Sequence, residues 1–314
     1  MKKVVCIGGG TGQSALLRGL KKIEDIELSA IVAVADDGGS TGRLRDQLHL
    51  PAMGDIRSVM VALAEREDLM TSIMNYRFDK NSGELSGHNL GNIIISALAQ
   101  GSGDFEQAVT DLSSSLKVRG RIYPSTTEYV SLKGHMKDGS VVTGESELRE
   151  CDNIINDVFY DREVSAYPPA VQAIYDADYI IVGIGSLFTS ILPNLIITDI
   201  KKALCQCRGK VIYYCNCMSE HGETDGFSLE DHVEALERHL QKQVIDAVVF
   251  ACDEIPEVCL QAYRKEHAAP VGIREKDHDY QIFRHSLLNF PNNVIRHDAE
   301  KTRISFEEVM REMG

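Results

Sequence analysis

Apolar residues along this chain gather into short runs, and glycine-rich or acidic turns close most of them. Val4–Ile7 reads as a buried strand, Gly8–Ser14 as a glycine loop, and Ala15–Leu20 as a helix with apolar residues at helical spacing. A second buried run, Ile31–Ala35, ends in Asp36-Asp37-Gly38-Gly39-Ser40. Helical periodicity follows at Ser58–Ala64, Leu69–Tyr76, Ile93–Ala99 and Phe105–Leu116. Tyr129–Leu132 and Ser140–Thr143 then alternate around Lys137-Asp138-Gly139, which predicts an antiparallel hairpin.

The helix–strand alternation resumes with Pro168-Pro169 preceding a helix to about Asp176, then a strand at Tyr179–Val182. A second glycine loop, Gly183–Ser190, is followed by a helix at Ile196–Leu204 and a strand at Lys210–Cys217. The acidic loop Met218–Phe227 leads to a helix at Leu229–Leu240, with Ser228 and Asp231 placed for a capping box. Strands are predicted at Ala247–Ala251 and Val271–Ile273, a strand edge at Asn293–Asp298, and a terminal helix at Ser305–Met313. Such alternation predicts an α/β fold. We expect a Rossmann-like, doubly wound, mostly parallel sheet in a single domain over residues 1–314. The antiparallel hairpin is an insertion at about 120–150.

Charge narrows the possible partners. The chain has 33 basic and 47 acidic residues, a net charge of −14, which disfavours nonspecific binding to nucleic acid or an anionic membrane. No apolar stretch approaches the roughly 20 residues of a membrane span. The start Met1-Lys2-Lys3 precedes an apolar run too short for a signal peptide. The eight cysteines are then expected as reduced thiols in the cytoplasm. Cys205/Cys207 and Cys215/Cys217 are spaced C-x-C and read as core packing rather than a zinc site. Apolar edge helices on such a sheet predict a homodimer.

Candidate chemistry sits in the loops. A helix N-terminus directs unpaired N–H groups and a positive dipole end at what precedes it, and glycines let a phosphate approach. Gly9, Gly10, Thr11 and Gly12 therefore read as a phosphate cradle. Gln13 stands where a dinucleotide fingerprint has its third glycine, and no lysine follows, so neither that motif nor a Walker loop is complete. Gly185, Ser186, Thr189 and Ser190 form a second set of anion donors. Asp36 and Asp37 are consecutive strand-end residues, so at most one faces a crevice. Hydroxyl binding, Mg2+ coordination and turn structure stay open for them. Arg43, Arg57 and Arg296 lie in glycine-rich or strand-end motifs suited to a bidentate phosphate grip, with surface ion pairing as the alternative. Asn89, Asn92 and Asn194 offer both donors and acceptors, or cap helices. No nucleophile–base pair stands out, so no catalytic residue is assigned and no metal ligands are called.

The motifs fall in a telling order: GGGTGQS at Gly8–Ser14, ADDGGSTGRLR at Ala35–Arg45, GDIR at Gly54–Arg57 and GHNLGN at Gly87–Asn92. GSLFTSILPN at Gly185–Asn194, GETDGF at Gly222–Phe227 and IRHD at Ile295–Asp298 complete the series. Nearly the whole chain resembles the YvcK-type gluconeogenesis factors, relatives of the 2-phospho-L-lactate transferase CofD. The resemblance implies a cytoplasmic bacterial protein with a Rossmann-like fold. It implies UDP-sugar binding of the UDP-GlcNAc kind, growth on gluconeogenic carbon sources, a part in cell shape, and no established reaction. The CofD branch instead moves a phospholactyl-type group from a guanosine diphosphate donor to a deazaflavin alcohol, with Mg2+. The chain has no Trp and few aromatics to hold a flat deazaflavin, which favours the regulatory branch. A CofD-like transferase and an NAD(P)-binding protein stay as alternatives. On the leading reading the ligand contacts come from the loops named above. Gly39, Ser40, Asp55, His88, Glu223, Thr224 and Asp225 join them, and Tyr263 reads either as a stacking partner for uracil or as a core or rim residue of a helix. A regulatory protein partner is implied and not identified.

Overall fold

The computed structural model describes residues 1–274 and 277–314. Its strands are β1 (Lys2–Gly8), β2 (Ile26–Val32), β3 (Arg121–Pro124), β4 (Lys133–Met136), β5 (Val141–Thr143) and β6 (Ile155–Phe159). Then come β7 (Tyr179–Val182), β8 (Lys210–Tyr214), β9 (Ala247–Ala251), β10 (Gln281–His285), β11 (Leu288–Asn289) and β12 (Arg296–His297). The helices are α1 (Gly10–Leu20), α2 (Gly39–Leu48), α3 (Gly54–Leu63), α4 (Glu67–Met74), α5 (Leu90–Ser102) and α6 (Phe105–Ser115). They continue with α7 (Glu145–Glu150), α8 (Pro168–Asp176), α9 (Leu192–Leu195), α10 (Thr198–Gln206), α11 (Leu229–Leu240), α12 (Glu257–Arg264) and α13 (Ala299–Met313).

The main sheet has seven strands in the order β10-β9-β8-β7-β1-β2-β3, and every pairing in it is parallel. Its central strands are buried apart from exposed lysines at the starts of β1 and β8, as parallel strands covered on both faces must be. The chain runs outward from β1 to β2 and β3, then returns to β7 and runs outward the other way. Right-handed crossovers in opposite directions place helices on opposite faces. α1 packs against α3 and α13, and α8 packs against α10. The strand order therefore reverses between β1 and β7, and this reversal positions the site.

Several boundaries differ from the sequence expectation. The antiparallel unit has three strands, β5-β4-β6, and extends to Phe159. Its first strand starts at Lys133, because Glu128–Ser131 is held instead by Arg45, Arg162 and Ser165. Arg121–Pro124 belongs to the edge of the main sheet. Val271–Ile273 forms no strand; Val271 N–H bonds to Cys217 in a loop contact, and the sheet edge is Gln281–His285. The terminal helix starts six residues earlier than predicted, at Ala299, because Asp298 caps it by accepting the N–H groups of Glu300 and Lys301. The capping box of α11 forms as predicted between Ser228 and Asp231. Among the described residues no helix is long and apolar enough to cross a membrane.

Candidate functional site

Open parallel sheets bind ligands outside the carboxyl ends of their strands where the strand order reverses. Here the loops leaving β1, β7 and β8 meet at that point around a cleft of about 610 Å3. The first wall is Gly9–Gly12 at the start of α1. Gly10 has φ +65, and a Cβ there would meet Ser190 Oγ only at an ordinary contact of 3.6 Å, so its backbone lines the cleft with its N–H turned to the Asp55 carboxyl. Gly12 has another task. A Cβ there would lie 2.5 Å from Ile184 O, so the close seating of α1 on the β7 loop requires glycine. Gln13 replaces the fingerprint's third glycine for a structural reason. Its buried amide donates to Cys6 O at 3.0 Å and Ile31 O at 2.9 Å, stitching β1 to β2.

The second wall is the loop Ile184–Ser190 after β7. Asn216, just past β8, pairs with the backbone of Gly185, donating to its carbonyl at 2.9 Å and accepting its N–H at 3.4 Å. Ser186 donates to Glu220, which also lines the cleft. The lining is continued by Tyr263 from α12 together with Ile295, Arg296 and His297. Arg296 donates to the neighbouring Ile295 carbonyl at 3.1 Å and makes no ion pair among the described residues. Arg149, from the insertion helix α7, completes the rim. Asp55 lies against the glycine loop: a Cβ on Gly9 would be 2.5 Å from its Oδ2. Burial, with the Asp36 charge adding to it, pushes the Asp55 carboxyl up to about 7. Burial also pushes the His297 imidazole down to about 4, so it is neutral at neutral pH.

Of the residues singled out in the sequence, the cleft gathers Gly9, Gly10, Thr11, Gly12, Asp55, Gly185, Ser186, Ser190, Tyr263 and Arg296. The others stand behind it. Asp36 accepts the Gly38 N–H at 2.9 Å, and Asp37 accepts the Ser146 N–H at 2.9 Å. Gly39 opens α2, and Ser40 accepts the Asn89 N–H and contacts His88 Nδ1. Asn89 caps α5 through the Asn92 N–H, and the Asn92 amide reaches Ser40 and Thr41. Arg57 donates to Asn92 Oδ1 at 3.0 Å, and Arg43 donates to Ser86 O at 2.8 Å. Together these residues tie the starts of α2 and α5 to α3. Thr189 and Glu223 bond to each other, and the Thr224 hydroxyl accepts the Glu220 N–H. Asp225 accepts from Gly222 N–H and meets His221, while the Asn194 amide donates to Gly8 O and Ser190 O.

Sequence reasoning missed Arg149, Asn216 and Glu220 as cleft residues. Arg149 sits in the polar helix Glu145–Glu150, which carries no motif, and its place depends on the insertion folding back. Among the described residues no group of three or more His, Cys, Asp and Glu side chains is arranged to hold a metal. Mg2+ needs only one or two carboxylates beside a phosphate, and Asp55 is the carboxylate nearest the glycine loop.

A family profile described as 2-phospho-L-lactate transferase CofD matches residues 4–288. The chain is 41% identical over 314 residues to the gluconeogenesis factor of Bacillus subtilis, covering 99% of this chain and 98% of that one. The chain belongs to the gluconeogenesis-factor branch of the CofD family. A putative gluconeogenesis factor of Thermotoga maritima is 40% identical over 315 residues, covering 98% of this chain and 99% of the relative. The crystal structure of a Bacillus halodurans protein superposes with a TM-score of 0.93 at 38% identity, over 98% of this chain and 99% of that one. The CofD-family fold therefore extends along almost the full length.

Proposed function

We propose that this CofD-family chain is a UDP-sugar-responsive regulatory protein of the cytoplasm, needed for growth on gluconeogenic carbon sources and for cell-wall and shape homeostasis. The observation that carries the ligand reading is that Gly9–Gly12 and Arg296 line one cleft at the strand-order reversal. A helix N-terminus contributes about 0.3–1 kcal/mol to an exposed anion, up to ~2 when partly buried. Micromolar binding needs about −8 kcal/mol. Backbone and dipole alone fall short, and a guanidinium without a carboxylate partner supplies what a diphosphate requires. Tyr263 on the same wall offers a face for the uracil ring. The gluconeogenic role rests on the names of the relatives, which the chain matches along almost its whole length.

A panel of UDP-GlcNAc, UDP-glucose, GDP and NAD, read by thermal unfolding, tests this function. UDP-sugars at a hundredfold over Kd should stabilise by about 2.7 kcal/mol. GDP and NAD should leave the transition unmoved. Stabilisation by GDP with Mg2+ in place of UDP-sugars would favour the transferase reading, which the family description keeps in view. Stabilisation by NAD alone would overturn both.

A further inference from the structure

The three-stranded insertion stands apart from the main sheet, yet one of its side chains lines the cleft. Helix α7 is preceded by Gly144, whose φ of +105 turns the chain back toward the acidic loop. Asp37 Oδ1 accepts the Ser146 N–H at 2.9 Å, across more than a hundred residues of sequence. The two segments touch without slack. A Cβ on Gly144 would lie 2.5 Å from Asp37 Oδ2, and one on Gly38 would lie 2.9 Å from Ser146 Oγ. One turn further along α7, Arg149 borders the cleft that holds Gly9–Gly12, Ser190 and Arg296. Among the described residues its guanidinium has only a long contact to Glu145 Oε1, at 3.9 Å, and its side chain is 60% exposed. The Arg149 charge also reaches the Asp55 and Glu223 carboxyls. A positive group so loosely held, lining the same cleft as the glycine loop at the start of α1, is placed for an anion.

We propose that the insertion is a phosphate clamp. Arg149 grips the diphosphate opposite the glycine loop, and Asp37 is the positioning residue that fixes α7 so that Arg149 arrives there. This inference rests on the UDP-sugar reading for the identity of the ligand. The clamp itself asks only for linked phosphates. The bidentate geometry of guanidinium suits a diphosphate oxygen pair, which an ammonium cannot match. Asp37 makes no cleft contact, so its effect must pass entirely through α7.

Calorimetric titration of the full chain with uridine, UDP, UDP-GlcNAc and inorganic pyrophosphate tests the clamp. Arg149→Ala should weaken UDP, UDP-GlcNAc and pyrophosphate by about tenfold to a hundredfold, the range of a charge-assisted bond, and leave uridine unchanged. Arg149→Lys should recover part of the loss. Asp37→Ala should show the same phosphate-selective pattern, and Asp37→Asn, which keeps an acceptor for Ser146, should restore binding. The double variant Asp37→Ala with Arg149→Ala should bind no more weakly than Arg149→Ala alone. Undiminished pyrophosphate binding by Arg149→Ala would overturn the clamp, as would an equal loss for uridine. Additive losses in the double variant would overturn the role of Asp37. If the wild-type chain takes pyrophosphate but no uridine compound, the clamp stands and the UDP-sugar reading falls; if it takes neither, both fall.

Discussion

Thr189 Oγ1 donates to Glu223 Oε1 at 2.9 Å, and the Phe188 N–H reaches the other oxygen of the same carboxylate at 3.2 Å. Thr189 belongs to the loop after β7 and Glu223 to the loop after β8. Both have the chemistry of ligand contacts, and both are spent on holding two walls of the cleft together. Glu223→Ala leaves the buried Thr189 hydroxyl and Phe188 N–H without their acceptor. It should cost about 1–3 kcal/mol of stability for each group left unsatisfied. Chemical denaturation of variant and wild type measures that loss.

The same carboxylate predicts a pH dependence of stability. Burial, reinforced by Glu220, raises the Glu223 carboxyl to about 7. Its folded value then lies above its unfolded value of about 4.3, so the folded state holds the proton more tightly. The resulting stabilisation is present below the unfolded value and is lost as pH rises toward 7. Glu223→Gln, which stays neutral, should flatten the fall in melting temperature between about pH 5 and 7.5. A wild-type profile no steeper than that of the variant would show that Glu223 is already ionised at low pH.

Asp55 should act on ligand affinity instead. Its carboxyl, raised to about 7, lies against the backbone that is to receive a diphosphate. Ionised Asp55 repels that ligand and neutral Asp55 does not. UDP-sugar affinity should therefore rise as pH falls from about 8 to 6, and Asp55→Asn should remove the Asp55 share of that dependence. Titrations at several pH values decide it.

The two cleft glycines should fail differently. Gly12→Ala drives a Cβ into Ile184 O and should lower stability by about 1–3 kcal/mol or more. Gly10→Ala has space for its Cβ but keeps a left-handed φ, costing about 1–2 kcal/mol, and it covers the backbone a phosphate must approach. Denaturation with a ligand titration on each variant separates the two effects: mainly stability for Gly12, mainly binding for Gly10.

Much of the fold is legible in the sequence where local and global signals agree. Tyr179–Val182, Leu229–Leu240 and Ala247–Ala251 are predicted and observed with the same bounds, and the helix expected after Pro168-Pro169 takes in both prolines. The edge strand Gln281–His285 is not legible, because only Phe283 within it is fully buried and the pattern reads as polar. Val271–Ile273 has the apolar run of a strand but meets Cys217 in a loop. Site chemistry is legible as residue type and loop position, and partner choice is not. Nothing local says that Thr189 will find Glu223, that Asp37 will hold Ser146, or that Arg149 will return to a cleft built by β1 and β7. Those contacts are set by topology, which brings together residues far apart in the chain.

On the proposed function, Arg296 and the glycine loop share one ligand. In the structure Asp298 is engaged by Glu300, Lys301 and Asn289, so it leaves Arg296 facing the cleft. The direct test is calorimetric titration of UDP-GlcNAc into wild type, Arg296→Ala and Arg296→Lys, beside melting curves without ligand. Expected are saturable wild-type binding, a loss of about 1.5–3 kcal/mol in Arg296→Ala, partial recovery in Arg296→Lys, and nearly unchanged melting temperatures. Unchanged affinity in Arg296→Ala with a lowered melting temperature would contradict it, because Arg296 would then serve the fold and not the ligand.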